Sequence, residues 1–317
     1  MSTSRAEVAE GLARVLGGVD VVDLVQLSGG ASRETWSFGA RAADGRQEPL
    51  ILQRQRPGSE RDVAVEVAVL QVARQAGVPV AEVVASGSDD DGLGAAYVVV
   101  RRVAGETIAR KILRDEQYTA ARAALPRQLG RALASLHRIP IDAVPGLLAA
   151  DQVQQYRDVL DLSGQPHPTF ELAFRWLADR RPPPGGQAIV HGDFRLGNVI
   201  VDEHGLAAVL DWELAHLGDP MEDLGWLCVK AWRFGGRAPV AGVGDYDDLF
   251  DAYSEAAGRP VDAEVVRWWE VLGTLKWGIM CIMQASAHLS GASRSHELAA
   301  IGRRVCENEH DLLALMG

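Results

Sequence analysis

A chain of 317 residues in which hydrophobic residues make up 47% can bury a sizeable core, as one large domain or two smaller ones. Its 32 Lys and Arg stand against 43 Asp and Glu, a net charge of −11 with a pI near 5.2, which excludes binding to nucleic acid or anionic membrane through a basic surface. Cys228, Cys281 and Cys306 are odd in number and widely spaced, which supports neither a disulfide framework nor a zinc site and suits buried thiols in a reducing cytoplasm.

In chain order, the N-terminal segment carries Glu7 and Glu10 and no continuous apolar run, so it does not read as a signal peptide; its spacing predicts a helix over 5–16. Apolar, β-branched runs predict strands at 21–27, 34–39, 49–55 and 95–102, with a shorter one at 83–86. Turn chemistry separates them, notably AADGRQ at 42–47 and DDDGLG at 89–94. A helix over about 60–76, ended by Gly77 and Pro79, lies between the third and the last of the longer runs. From Gly105 the period becomes helical, near 117–138, 151–160, 169–180, 219–232, 245–257, 262–288 and 294–315. One island differs: residues 188–211 read as a strand, a polar loop and a hairpin turning at DEHG, 202–205. The apolar stretch from Trp277 to Met283 falls far short of the roughly 20 residues that span a bilayer, so no membrane partner is expected. Residues 1–103 hold 11 basic and 14 acidic side chains and residues 104–317 hold 21 and 29, so the excess acid is on the helical side.

The island IVHGDFRLGNVIVDEHGLAAVLDWELAHLGDPMEDLG, residues 189–225, brings Asp193, Asn198 and, one hairpin later, Asp211. Phosphoryl transfer asks for a carboxylate that accepts the proton of the attacking hydroxyl, and for oxygen ligands on Mg²⁺. Taken singly, each of these residues is equally an ordinary turn former or cap. Together, HGDxxxxN followed by a hairpin and LDWE matches the kinase catalytic loop and metal-binding segment in order and spacing.

These residues resemble the aminoglycoside phosphotransferase and choline kinase group, which has a protein-kinase-like fold. HGDFRLGN, with LDWELAHLGDP and DLGW close behind, is especially similar to bacterial phosphotransferases related to kinase domains fused to acyl-CoA dehydrogenases. The resemblance covers nearly the whole chain and implies an α+β, two-lobed architecture. A small antiparallel-sheet N-lobe over 1–103 would bind nucleotide, and a larger, mainly helical C-lobe over 104–317 would carry catalysis and the acceptor. It further implies ATP and Mg²⁺ as cofactors, Asp193 as catalytic base, His191 as a support of the loop, and Asn198 and Asp211 as Mg²⁺ ligands. Asp219 and Asp223 would brace the loop, although an N-cap and a first-turn acid explain them equally well. His137, at the end of a helix, reads as packed or hydrogen-bonded in the core.

On the nucleotide side, LSGGASRETWSF at 27–38 places Gly29, Gly30 and Ser32 between two strands. Backbone amides can approach phosphates at such a turn, and a plain hairpin is the alternative. The strand cation implied by the resemblance is missing. At its place in LILQRQRPG stands Gln53, on one face with Ile51, while Leu50, Leu52 and Arg54 share the other. Glu66, which that cation would pair, falls on the apolar stripe of its helix. Three arrangements are open: Gln53 contacts Glu66 and phosphate as a neutral amide, a register change turns Arg54 inward, or Glu66 extends to solvent. The backbone near Val100 and Arg102 in VVVRRVAG is expected to meet adenine.

For the acceptor, the seven acids between 202 and 223, with no Lys or Arg among them, would suit a cation. Lys230, Arg233 and Arg237 in KAWRFGGR would suit the phosphates of a CoA thioester, or complement a helix end. Trp226, Trp232, Trp268, Trp269 and Trp277 are candidates for the cleft wall, although the adjacent Trp268 and Trp269 cannot face one pocket. The expected activity is ATP-dependent transfer to a hydroxyl of a small molecule, with a hydroxyacyl-CoA as first acceptor and an aminoglycoside or choline-like alcohol as alternative. A non-catalytic nucleotide-binding module competes, motivated by Gln53. Monomer and homodimer are both open.

Overall fold

The computed structural model describes residues 4–27, 33–56, 62–88, 92–149 and 151–317. Helix α1 (Arg5–Val15) begins at Ser4, whose hydroxyl accepts from Glu7 N while the Glu7 carboxylate accepts from Ser4 N. Strands β1 (Asp20–Leu27), β2 (Arg33–Arg41), β3 (Gln47–Gln55), β4 (Val83–Gly87) and β5 (Tyr97–Arg101) form one antiparallel sheet in the order β1-β2-β3-β5-β4. Period-two alternation sorts its faces: Trp36, Phe38, Leu50, Leu52 and Val99 bury against Val8 and Leu12 of α1. The opposite face sets Ile51, Val98 and Val100 against Val63 and Val67 of α2 (Val63–Gln75), whose first turn is capped by Asp62 at Ala64 N.

After β5 the chain crosses to a mainly helical unit. Gly105, at φ 139°, lies where a Cβ would be 2.8 Å from Val201 O, a close approach that only glycine permits. Next to it, reciprocal backbone bonds of 2.9 and 3.0 Å join Glu106 to Val201. The helices are α3 (Ala109–Arg114), α4 (Thr119–His137), α5 (Gln152–Ser163), α6 (Pro168–Asp179), α7 (Met221–Cys228), α8 (Tyr246–Ala257), α9 (Ala263–Leu289), α10 (His296–Ile301) and α11 (Val305–Met316). α4 buries Leu125, Leu129, Leu133 and Leu136 beside Leu249 and Tyr253 of α8. The long α9 buries Leu272, Leu275 and Ile279 against Phe170 and Leu177 of α6. Between α6 and α7 lie four short strands: β7 (Val199–Asp202) and β8 (Gly205–Val209) form a hairpin, and β6 (Ala188–Val190) pairs with β9 (His216–Gly218). Among the described residues no helix is long and apolar enough to cross a membrane.

The helix expected over 219–232 ends at Cys228, because Val229 is extended and residues 230–233 form a 3₁₀ turn closed by Phe234 at φ 47°. The helix expected over 294–315 is divided by a 3₁₀ turn at 302–304, where Gly302 sits so close to α9 that a Cβ would lie 2.8 Å from that of Ala285. α3 and β9 have no counterpart in the sequence pattern, being too short to display a period.

Candidate functional site

β6 delivers the chain into His191-Gly192-Asp193. Gly192 has φ 78°, and a Cβ there would meet Leu214 O at 2.5 Å, so the loop depends on glycine at this point. The amides of His191 and Gly192 both donate to Asp223 of α7, at 2.7 and 2.9 Å. Asp223 is fully buried and also meets His137 Nε2 at 3.1 Å, while His137 Nδ1 lies 3.0 Å from the Tyr253 hydroxyl. Burial alone would raise the Asp223 pKa, but the bond and charge of His137, together with the His191 contacts, outweigh it and hold the carboxyl below its ordinary value. Asp223 thus braces the loop, and His137 is a core partner. Asp219 caps α7 at Met221 N and accepts from Gly185 N.

His191 is fully buried, packs at a tilt against Trp212 with 4.6 Å between ring centroids, donates from Nε2 to Leu210 O and accepts from Asp193 N at Nδ1. Burial pushes its pKa down and keeps the ring neutral. It is therefore out of reach of a substrate and can only hold the loop.

The Asp193 carboxylate accepts three side-chain donors: Trp226 Nε1 at 2.8 Å and Arg195 Nε at 3.0 Å on Oδ1, and Asn198 Nδ2 at 2.6 Å on Oδ2. With its amide nitrogen so engaged, Asn198 has its Oδ1 as the group that could ligate a cation. Asp211 follows β8 in the left-handed region, φ 63° and ψ 62°, an uncommon conformation for a residue with a Cβ. Its pKa is pushed up to about 6 by burial first, then by the charges of Glu213 and Asp193.

A cavity of about 600 Å³ separates the sheet from the β7–β8 hairpin, lined by Gln53, Glu66, Val100, Arg102 and Asp211 among others. The structure therefore brings five of the sequence-selected residues around one space. Gly29, Gly30 and Ser32 lie outside the described residues. Val100 is paired on both sides within the β3-β5-β4 ladder, and Arg102 N donates to Pro49 O, whereas Pro49, having no N–H, returns no bond to the Arg102 carbonyl. Val103 and Ala104, the next residues, also line the cavity.

The expected partners of Glu66 are corrected: neither the neutral Gln53 amide nor an inward-turned Arg54 holds it, and it does not extend to solvent. Glu66 is buried and is gripped at both oxygens by Arg33, with Nη1 to Oε1 at 2.7 Å and Nη2 to Oε2 closer still. Arg54 instead binds Leu93 O and Glu34, its direct cross-strand partner, on the α1 side of the sheet. Gln53 remains on the cavity face. Arg33 was legible in principle: the alternation that buries Trp36 and Phe38 puts Arg33 and Thr35 on the opposite, cavity-facing side.

Trp226, Trp232 and Trp277 form a tilted stack, 5.1 and 4.8 Å between neighbouring centroids, beside the Asp193 loop. Arg195 lies 4.7 Å over Trp232, and Lys276 of α9 lies 4.7 Å over Trp226 with its Nζ 3.4 Å from Gly192 O. Sequence reasoning missed Lys276, since a lone lysine in an apolar helix carries no motif. Trp268 and Trp269 belong elsewhere; Trp268 donates to Leu177 O of α6, and, contrary to the expectation that they cannot face one pocket, both line a cavity with Pro182, Pro184 and Asp219. In the basic segment, Lys230 pairs with Asp311, and Arg233 binds Cys228 O and Glu270. Two of its three cations are thus engaged within the fold.

Residues 23–265 match the sequence model of the phosphotransferase enzyme family. The chain is 29% identical over 243 residues to acyl-CoA dehydrogenase family member 10 of Mus musculus, covering 71% of this chain and 22% of that one. It spans about a fifth to a third of the length of the curated relatives it matches. In three dimensions it is similar to a Ralstonia eutropha protein assigned as an aminoglycoside phosphotransferase, with a TM-score of 0.77, 20% identity and coverage of 99% and 98% of the two chains. It is also similar to the GDP complex of aminoglycoside 2'-phosphotransferase-IIIa, with a TM-score of 0.69, 13% identity and coverage of 98% and 99%. The geometry of the Asp193 loop thus sits within a known lineage: the chain belongs to the phosphotransferase enzyme family and has a protein-kinase-like, two-lobed fold.

Proposed function

We propose that the protein transfers the γ-phosphate of ATP to a hydroxyl of a small molecule, with residues 1–103 as the nucleotide-binding lobe and 104–317 as the catalytic and acceptor-binding lobe. The observation that carries this reading is the Asp193 carboxylate, fixed by Trp226, Arg195 and Asn198 on a glycine-dependent loop. Asp193 orients the acceptor hydroxyl and takes its proton as that oxygen bonds to the γ-phosphorus. The bond from phosphorus to the β,γ-bridging oxygen breaks, and ADP leaves. Asn198 and Asp211 would hold Mg²⁺, which when bound neutralises charge on the phosphates; two hard oxygen donors suit an ion that takes most of its other ligands from water and nucleotide. His191 is a positioning residue. The backbone from Arg102 to Ala104, with Val100 just before it, is the edge offered to the base. The unpaired cysteines suit a cytoplasmic setting.

For the acceptor, the acidic run no longer argues for a cation. Glu213 faces Arg33, Asp219 caps α7, Glu222 meets His216 and Asp223 holds the loop. The groups around Asp193 are instead Arg195, Lys276 and three indoles. A neutral or anionic acyl compound fits this lining better than a polycationic amino sugar or choline. A hydroxyacyl-CoA is therefore the favoured acceptor, supported further by a relative whose name is that of an acyl-CoA dehydrogenase family member. The CoA phosphates would have to be met largely outside Lys230 and Arg233.

ADP release from MgATP is the test, run with hydroxyacyl-CoAs, amino sugars and choline and with Asp193→Asn as control. Transfer to amino sugars or choline alone would sink the acceptor assignment. MgATP binding without transfer to any acceptor would favour the non-catalytic module.

A further inference from the structure

The cavity face of β3 offers nucleotide phosphates only the neutral Gln53, and the buried Glu66 would be an uncompensated charge without a cation. The cation comes from the neighbouring strand. Arg33 begins β2, two residues before Thr35, which stands directly opposite Gln53 and lines the same cavity. Its guanidinium takes both Glu66 oxygens, and its Nε lies 3.4 Å from Glu213 Oε2. Glu213 is two residues beyond Asp211. One side chain, 9% exposed, therefore ties α2 to the Asp211–Glu213 segment beside the cavity, whose lining includes Glu66 and Asp211. A guanidinium has five N–H donors in a planar fork, so a bidentate grip on one carboxylate does not exhaust it.

We propose that Arg33 performs here the charge role that a cation at position 53 would otherwise have. It positions Glu66 and the Asp211–Glu213 segment and sets a positive charge beside the phosphates of a bound nucleoside triphosphate. This rests on the nucleotide reading of the cleft given above. Arg33 is a positioning and phosphate-affinity residue, and it leaves the base on Asp193 untouched. Its conformational demand is small, because adjacent strands are only about 4.8 Å apart and a long side chain covers that offset.

The test compares binding of MgATP and of adenosine, which lacks phosphate, to the wild type, Arg33→Ala, Arg33→Lys, Gln53→Lys and the Arg33→Ala/Gln53→Lys pair, with thermal melting to certify folding. Arg33→Ala should lose about 10- to 100-fold in MgATP affinity, as for a charge-assisted hydrogen bond, with adenosine binding unchanged. Restoring a cation on β3 in the double variant should recover most of that loss, and Arg33→Lys should fall between. An equal loss for adenosine and MgATP, an unchanged MgATP affinity, or a folded double variant with no recovery would each overturn the Arg33 assignment while leaving the kinase reading standing. Failure of the wild type to bind MgATP at all would instead overturn both. Should Arg33→Ala not fold, the comparison of Arg33→Lys with Arg33→Lys/Gln53→Lys carries the same decision.

Discussion

The loop proposed for catalysis and the sheet wall proposed for the nucleotide are held by different means. Around Asp193 the ties run through backbone amides and tight loop geometry: Gly192 cannot accept a Cβ, two loop amides converge on Asp223, and Asn198 donates to both the carboxylate and the carbonyl of Asp193. Nothing there can be supplied from another place in the chain without rebuilding the loop. On the sheet, the one requirement is that a buried carboxylate meet a cation, and a neighbouring strand serves as well as the original one. Chemistry anchored to backbone conformation stays at its sequence position, whereas a charge on a pleated face can migrate between strands.

The largest effect that could break this contrast is at the loop itself. Asp193→Asn should lower turnover by about 10²- to 10⁴-fold while MgATP affinity moves little, measured as single-turnover transfer beside a binding titration. Retained turnover would remove the base from Asp193. Asp223→Ala leaves His137 and two loop amides without their buried acceptor and should destabilise the fold by about 3–5 kcal/mol, with activity lost alongside; chemical denaturation measures it. A loop indifferent to this change would not be backbone-anchored in the sense argued here. Trp226→Phe removes one donor from Asp193 and should cost roughly tenfold in kcat with a smaller change in KM for ATP. A change confined to KM for ATP would place Trp226 on the nucleotide side instead.

The last expected effect lies outside both regions and serves as their control. Burial pushes the Glu270 carboxyl up to about 7 in spite of Tyr246 and Arg233. The folded protein then binds more protons than the unfolded chain between about pH 4.5 and 7, so this group's contribution to stability declines as pH rises through that window and is flat above it. Glu270→Gln should therefore gain stability relative to wild type on going from pH 5 to pH 8, by up to about 3 kcal/mol. A pH-independent difference would mean that Glu270 is ionised in the fold at both values.

Much of the fold was legible because its long elements carry clean periods: the leucines of α4 and the alternation of β2 and β3 announce their buried faces. Asp193, Asn198 and Asp211 were legible because their spacing is local. Arg33 was hidden behind a motif-based search for a lysine on β3, although period-two counting already put it on the cavity face. The basic segment misled for the opposite reason. Lys230 and Arg233 look free in one dimension, and only the packing of α11 and α9 reveals Asp311 and Glu270 as their partners. Lys276 and Trp226 gained significance from which residues α9 and α7 bring beside the loop, a property of tertiary docking that local pattern does not encode.

Asp211 has a consequence for how such a chain can drift. Its left-handed backbone would be relieved by glycine, and its half-buried charge, crowded by Glu213 and Asp193, is a standing cost to the fold. Selection for thermal robustness alone would remove this side chain. On the proposed reading of Asp211 as a Mg²⁺ ligand, occupancy by a cation would itself be a source of stability, and abundance in the cell would track the supply of ligand as well as the rate of unfolding.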